Sequence, residues 1–124
     1  MKNSPSFLGL KLQNFKDAFR ALFWIFKNES HFRVQCFGAV LALLIFYFCK
    51  ASMNDYFGWL FFSALILALE VLNTAIEKIC NLIEPRPDQR IALIKEASSA
   101  AVLLGSLASV IFFSLTVWKL CFMF

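Results

Sequence analysis

The chain has 124 residues, of which 60% are hydrophobic and 16% charged, and its mean hydropathy is +0.72. Globular domains are about half apolar, so this composition excludes an ordinary soluble domain and predicts one integral membrane domain over residues 1–124. The net charge of +4 is explained by basic residues beside anionic lipid headgroups, and no nucleic-acid partner is expected.

An amphipathic helix is predicted over about residues 8–28. Its apolar residues recur at spacings of three and four, while its basic residues fall elsewhere on the helical wheel: Lys11, Lys16, Arg20 and Lys27. We expect this helix to lie in the plane of the membrane surface, with packing on a core as the alternative. The segment is charged, and it does not resemble a cleaved signal peptide.

Three apolar stretches follow, and about 20 residues suffice for a helix to cross about 30 Å of hydrocarbon. The first is short and must use its flanks or thin the bilayer. Before it, His31 and Arg33 are equally compatible with headgroup anchors and with site residues. The predicted membrane helices cover about residues 32–50, 56–83 and 95–120, and the fold class is therefore an all-α membrane protein with an N-terminal surface helix.

The distribution of basic residues predicts the orientation of the chain in the membrane. Of the 12 Lys and Arg residues, 10 lie in residues 1–33 and 78–95. Because cytoplasmic loops carry the excess of Lys and Arg, we expect a cytoplasmic N-terminus. The segment 50–55 then forms a tight turn on the outer side, followed by Tyr56 and Trp59 at the level of the aromatic belt.

The four cysteines are interpreted as small buried apolar residues. They lie in or beside the apolar stretches and show no C-x-x-C spacing. Neither a disulfide framework nor a zinc site is predicted for Cys36, Cys49, Cys80 and Cys121.

A polar stripe runs along the second membrane helix. Glu70, Asn73, Thr74 and Glu77 stand at i, i+3, i+4 and i+7, so they share one helix face, which Asn81 extends. An ionisable side chain at the middle of a membrane helix costs on the order of 3 kcal/mol or more. The stripe is therefore expected to face the protein interior, a water-filled cavity or a polar ligand.

The third membrane helix carries small residues four apart: Ala97, Ala101, Gly105 and Ser109. Such a face allows another helix to approach closely. The partner helix can belong to the same chain or to another copy.

The charged residues near the cytoplasmic side suit phosphoryl transfer. Carboxylates such as Glu29 and Glu77 hold Mg²⁺ together with substrate phosphates, and a lysine such as Lys95 neutralises phosphate oxygens. Glu70 lies about 10 Å deeper than Glu77 along the helix, so a hydroxyl that it served would approach from the membrane. No phosphate-binding glycine loop is present. A small channel, a transporter fragment or an assembly subunit is the alternative.

The octapeptide at residues 70–77, EVLNTAIE, resembles the signature E-x-x-N-[ST]-A-I-E of the bacterial diacylglycerol kinase and undecaprenol kinase family of small membrane lipid kinases. Residues 15–19, 28–33 and 95–102 resemble further blocks of the family at matching spacing. The resemblance covers about residues 10–118.

The resemblance implies a homotrimer in the bacterial inner membrane, with composite sites where subunits meet. It also implies transfer of the γ-phosphate of ATP, with Mg²⁺, to the hydroxyl of a membrane lipid. Diacylglycerol is the first expected substrate. Undecaprenol, which the segment around NTAIE favours, and a degenerate non-catalytic subunit are the alternatives.

The same resemblance implies roles for individual residues. Glu70 matches the catalytic base, and Glu29 and Glu77 match the acids that bind the metal. The nucleotide-binding positions are Glu29, Asn73, Glu77, Arg86, Pro87, Asp88, Lys95 and Glu96. The lipid-binding positions are Glu70, Ser99, Phe32 and Arg33. The chain departs from the family at Asn81 and Glu96, where aspartate is usual.

Overall fold

The computed structural model describes Ser4 and residues 6–123, and this part of the chain forms four helices and no strand. They are α1 Phe7–Asn28, α2 Ser30–Phe48, α3 Met53–Ile83 and α4 Gln89–Phe122. The last three are long and apolar enough to cross a membrane. The predicted all-α class, with an N-terminal helix before three membrane helices, is confirmed; the trimer stays a prediction.

Helix α1 begins where the Ser6 hydroxyl accepts a hydrogen bond from the Gly9 backbone N–H at 3.1 Å. It ends at Asn28 because Glu29 adopts an extended backbone. Ile25 is buried, whereas Phe15 and Phe19 on the apolar side are about two-thirds exposed. An apolar side left open in this way is typical of a helix that lies against lipid.

The turn between α2 and α3, residues 49–52, defines what we call the turn end of the bundle. A capping box starts α3 at Met53, since Ser52 and Asp55 exchange backbone-to-side-chain hydrogen bonds of 3.0 and 3.3 Å. The Asp55 carboxylate also accepts from the Lys119 ammonium at 2.6 Å. This ion pair joins α3 to the last turns of α4.

Residues 84–88 connect α3 to α4 and define the loop end. Pro85 and Pro87 lack a backbone donor, which ends α3 at Ile83. The Asp88 carboxylate caps α4 by accepting from the Arg90 N–H at 2.8 Å, so the helix begins at Gln89. This start precedes position 95, predicted from hydropathy, because the Asp88 cap lies before the long apolar stretch.

Helix α3 packs against both α2 and α4, and the best-buried apolar cluster lies towards the turn end. Phe46 is fully buried and stacks on Phe113 with 5.6 Å between ring centroids. The Trp59 indole N–H donates to the Ala39 carbonyl at 3.1 Å. The helices are thus held together near the turn end, and the charged residues collect towards the loop end.

The small-residue face of α4 is divided between two environments. At its middle, Gly105 and Ser109 are buried, and a Cβ on Gly105 would lie 2.8 Å from the Leu69 side chain of α3. Nearer the loop end, Ala97 and Ala101 are exposed. The deeper half of this face therefore packs within the chain.

Candidate active site

The polar stripe of α3 turns towards the interior of the bundle. Glu70 and Thr74 are only 7% and 6% exposed, and Asn73 and Glu77 are half-buried. The Asn73 amide N–H donates to the Glu77 carboxylate at 3.4 Å, a long hydrogen bond. Because Glu70 is carried mid-helix on a membrane helix, its burial needs polar neighbours or a polar ligand.

Such neighbours come from the junction between α1 and α2. Glu29, at the break between the two helices, is half-buried. His31, Glu77 and Glu29 all lie within electrostatic range of the Glu70 carboxylate, so these four groups form one cluster. The structure thus brings together residues that are up to 48 positions apart in the sequence.

Arg33 holds this junction in place. Its guanidinium donates to the backbone carbonyls of Phe26 and Lys27 at 3.0 and 2.8 Å, and so caps the last turn of α1. Phe32, the preceding residue, is buried and lines an apolar groove beside α3. Arg33 is therefore bound to α1, whereas Phe32 faces a space that an apolar chain can enter.

Lys95 reaches the same stripe from the other side of the hairpin. Its ammonium donates to the Asn81 side-chain carbonyl at 2.7 Å. Asn81 lies one turn from Glu77 on α3, about 6 Å along the helix axis. Since the amide of Asn81 is neutral, the positive charge of Lys95 is left uncompensated by this contact.

The connecting loop forms a cleft of about 450 Å³ that is lined by residues 84–89, Lys95 and neighbouring α4 residues. Arg86 pairs with Glu84 at 2.8 Å, and Arg90 pairs with Asp88 at 3.0 Å. The hydrogen bonds from Arg86 hold the pKa of Glu84 below its ordinary value, and those from Arg90 do the same for the pKa of Asp88. Both acids are therefore ionised at neutral pH.

The predicted residues fall into two groups in space. Glu29, Glu70 and Glu77 lie in one cluster, with Asn73 bonded to Glu77. Lys95 bonds to Asn81, one turn from Glu77, and shares the cleft with Arg86, Pro87 and Asp88. Glu96 and Ser99 are exposed on α4. In a single chain, therefore, no other helix covers Glu96 and Ser99.

Two features of the site were missed by reasoning from the sequence. The Asn81–Lys95 hydrogen bond was not predicted. Both residues lie seven positions from Asp88 in the connecting loop, and this equal spacing was the signal that could have paired them across the hairpin of α3 and α4. The sequence also left His31 undecided between an anchor and a site residue. It lies within electrostatic range of Glu70, which places it beside the cluster.

The donor set suits a metal that arrives with phosphates. Among the residues that the structure describes, no three His, Cys, Asp or Glu side chains lie close enough to hold a metal ion by themselves. Mg²⁺ is commonly held by only one or two carboxylates together with substrate phosphates, and Glu29 and Glu77 are the two acids predicted for this role. The Asn73 side-chain carbonyl is buried without a hydrogen-bond partner in the described part of the chain, which leaves an acceptor for an incoming donor.

Comparison with known proteins identifies the family. Residues 16–117 match the sequence model of the family described as prokaryotic diacylglycerol kinase. A relative named diacylglycerol kinase, from Haemophilus influenzae, is 29% identical over 80 residues, which cover 64% of this chain and 68% of the relative. The matched span contains the whole polar stripe, the α1–α2 junction and Lys95.

Proposed function

The chain belongs to the prokaryotic diacylglycerol kinase family and is a lipid kinase of the membrane, and on this basis we propose that it transfers the γ-phosphate of ATP to the hydroxyl of diacylglycerol. The product would be phosphatidic acid. The observation that carries the proposal is the buried Glu70 carboxylate, in a membrane helix and within electrostatic reach of Glu29 and Glu77. A soluble substrate would not require an acid at that depth.

At the lipid end, Glu70 acts as the general base. It accepts the proton of the lipid hydroxyl as the new bond between the lipid oxygen and the γ-phosphorus forms and ADP leaves. Phe32, whose side chain lines the neighbouring apolar groove, contacts the lipid chain. Arg33 fixes the junction that carries Phe32, and Ser99 contributes a hydroxyl from α4.

At the nucleotide end, Glu29 and Glu77 hold Mg²⁺ that enters with ATP, and Asn73 orients the Glu77 carboxylate. When bound, the metal neutralises charge on the phosphates. Lys95 contacts the phosphates with a charge that Asn81 leaves uncompensated. The cleft residues Arg86, Pro87 and Asp88 and the neighbouring Glu96 contact the rest of the nucleotide.

We propose that the active form is a homotrimer in the bacterial inner membrane, with the N-terminus in the cytoplasm. The exposure of Ala97, Ala101, Glu96 and Ser99 on α4 supports a site that a second subunit covers. The excess of Lys and Arg near the loop end and on α1 supports the orientation.

The lipid substrate is tested by phosphorylation of alternative lipids in mixed micelles. Purified protein receives radiolabelled ATP with diacylglycerol or with undecaprenol, and the labelled lipid is counted. We expect faster transfer to diacylglycerol. Faster transfer to undecaprenol would assign the chain to the undecaprenol kinase branch, which the residues around the signature octapeptide favour. Labelling of neither lipid would overturn the proposed activity.

A further inference from the structure

A cavity of about 310 Å³ lies between α2, α3 and α4, on the turn-end side of Glu70. Its walls are mostly apolar, and Ser63 of α3 and Ser106 of α4 add hydroxyl groups to them. On the α2 wall, a Cβ on Gly38 would meet nothing outside its own turn of helix within 4 Å, so the space beside Gly38 is open. We call this space the α2–α4 cavity.

The hydroxyl of Ser63 is an unsatisfied polar group at this cavity. Ser63 is only 9% exposed, and its oxygen is buried without a hydrogen-bond partner in residues 6–123. Two other buried hydroxyls, those of Ser109 and Thr116, donate to the carbonyl four residues earlier at 2.9 and 2.8 Å. Because burying an unpaired hydroxyl costs free energy, Ser63 suits a ligand that brings a hydrogen-bond acceptor.

Ser63 lies below Glu70 on the same face of α3. The two residues are seven positions apart, which places Ser63 about 10 Å deeper along the helix, and both are buried. Helical side chains tilt towards the helix N-terminus, so the long Glu70 side chain extends towards Ser63. A lipid whose hydroxyl lies at Glu70 would therefore bring the atoms a few bonds further along to the level of Ser63.

The α2–α4 cavity borders the apolar groove at Phe32. Leu67 lines both spaces and lies about one turn from Ser63 and from Glu70. In the proposed reaction, the groove at Phe32 holds one chain of the acceptor. The cavity offers a separate apolar space beside Leu67 for a second chain. A lipid with two chains fits both spaces, whereas a polyprenol has one chain only.

We propose that one acyl chain of the acceptor enters the α2–α4 cavity, and that the Ser63 hydroxyl donates to the ester carbonyl at the head of that chain. The inference rests on the proposed function, since it needs the acceptor hydroxyl at Glu70. Each ester carbonyl of diacylglycerol lies a few bonds from the free hydroxyl and accepts a hydrogen bond. Undecaprenol has no carbonyl. Ser63 is therefore a specificity-determining residue that selects diacylglycerol.

Ester and ether lipids test the contact with Ser63. Purified protein in mixed micelles receives radiolabelled ATP with diacylglycerol or with its dialkyl ether, which keeps both chains and the free hydroxyl but has no carbonyl. We expect the kcat/KM of the wild type to be about fivefold higher for the ester, the effect of one neutral hydrogen bond. Ser63→Ala should abolish this preference by slowing transfer to the ester alone.

Thr116→Val is the control, because it removes a buried hydroxyl that is already bonded and lies outside the cavity. This variant should keep the preference for the ester. Equal kcat/KM for ester and ether in the wild type, or an equal loss for both lipids in Ser63→Ala, would overturn the proposal.

The place of the second chain is tested without ATP by fluorescence quenching. Trp59 lines the cavity and is 8% exposed, and it is the only tryptophan left after Trp24→Phe and Trp118→Phe. Diacylglycerol with brominated chains should quench Trp59, and brominated phosphatidylcholine, which has no free hydroxyl, should quench it less. Gly38→Val adds methyl groups to the open wall and should reduce the quenching by diacylglycerol severalfold.

This binding assay separates the inference from the proposed reaction. If neither lipid is phosphorylated, the proposed reaction fails, and titration of Trp59 with brominated ester and ether lipids decides whether Ser63 binds the carbonyl. No quenching by diacylglycerol, or quenching that Gly38→Val leaves unchanged, would show that no acyl chain enters the cavity.

Discussion

At the scale of single residues, Glu29 and Glu77 determine the metal requirement of the proposed reaction. Mg²⁺ held by one or two carboxylates depends strongly on each of them. We expect Glu29→Gln and Glu77→Gln each to need several-fold more Mg²⁺ for half-maximal activity, measured by titration at saturating ATP. Asp17→Asn, which removes an exposed acid from α1, serves as the control. An unchanged titration in both glutamate variants would contradict the metal role.

Asn81 stands where the resemblance to the family leads us to expect aspartate. It accepts a hydrogen bond from Lys95 at 2.7 Å and leaves the lysine charge available. In Asn81→Asp a carboxylate would pair with that ammonium and compete with the phosphates. We expect the KM for ATP to rise several-fold, with kcat nearly unchanged at saturating ATP. This pattern is typical of a contact that contributes equally to binding of the substrate and of the transition state.

Asn54→Asp is the matched control for this prediction, because it makes the same change at an exposed residue near the turn end, away from Lys95. Steady-state kinetics over a range of ATP concentrations separate KM from kcat. If Asn81→Asp left the KM for ATP unchanged, the proposed contact between Lys95 and the phosphates of ATP would be contradicted. If Asn54→Asp raised KM as much as Asn81→Asp, the effect would not come from the contact with Lys95.

The polar stripe could be predicted from sequence because it depends only on the period of one helix. Spacing alone put Glu70, Asn73 and Glu77 on one face, and the structure buries or half-buries all three. The contacts between elements could not be predicted in this way. The Lys78 ammonium lies over the Trp24 ring of α1, a contact between residues 54 positions apart that the period of one helix does not predict.

At the scale of elements, hydropathy located the membrane helices but not where they begin. Both α3 and α4 start at polar caps, Ser52 with Asp55 and Asp88, which precede the apolar runs. Capping depends on side chains of one or two residues, and an average over a window of about 20 residues hides them. Hydropathy therefore gave the number of helices correctly and the start of α4 too late.

The turn end provides a stability prediction at the same scale. Asp55 both caps α3 and pairs with Lys119 across the hairpin. Asp55→Ala should therefore lower the free energy of unfolding by about 1–2 kcal/mol, mostly through the lost cap. Lys119→Met removes only the ion pair and leaves the buried Asp55 carboxylate without its cation. Because the Ser52 N–H still donates to that carboxylate, the cost should be smaller than for Asp55→Ala, about 0.5–1 kcal/mol.

Thermal unfolding of both variants in one detergent measures the difference. Activity at low temperature should be kept, because the pair lies at the end of the bundle away from Glu70. If Lys119→Met destabilised the protein as much as Asp55→Ala, the ion pair would be the main stabilising contact and the cap a minor one.

At the scale of the whole molecule, the orientation in the membrane follows from charge. With 10 of 12 basic residues in 1–33 and 78–95, the N-terminus and the loop end are expected in the cytoplasm and the C-terminus outside. A reporter that is active only in the cytoplasm should be silent when fused to the C-terminus and active when fused after residue 88. The reverse pattern would contradict the proposed access of ATP to the loop end.

The single chain also leaves much of its surface open at the loop end, including Glu96 and Ser99. The sequence could indicate a close-packing face on α4, but it could not divide that face between internal and external partners. The structure makes the division, since Gly105 and Ser109 pack within the chain.

The central claim is that Glu70 is the base of a lipid kinase. It is tested most directly by the rate of transfer from radiolabelled ATP to diacylglycerol, for the wild type and for Glu70→Gln. A general base contributes about 10²–10⁴-fold, so the variant should lose at least about a hundredfold in kcat, while it keeps its helical content and its affinity for ATP. A Glu70→Gln protein that retained more than about half of the wild-type turnover would contradict the account.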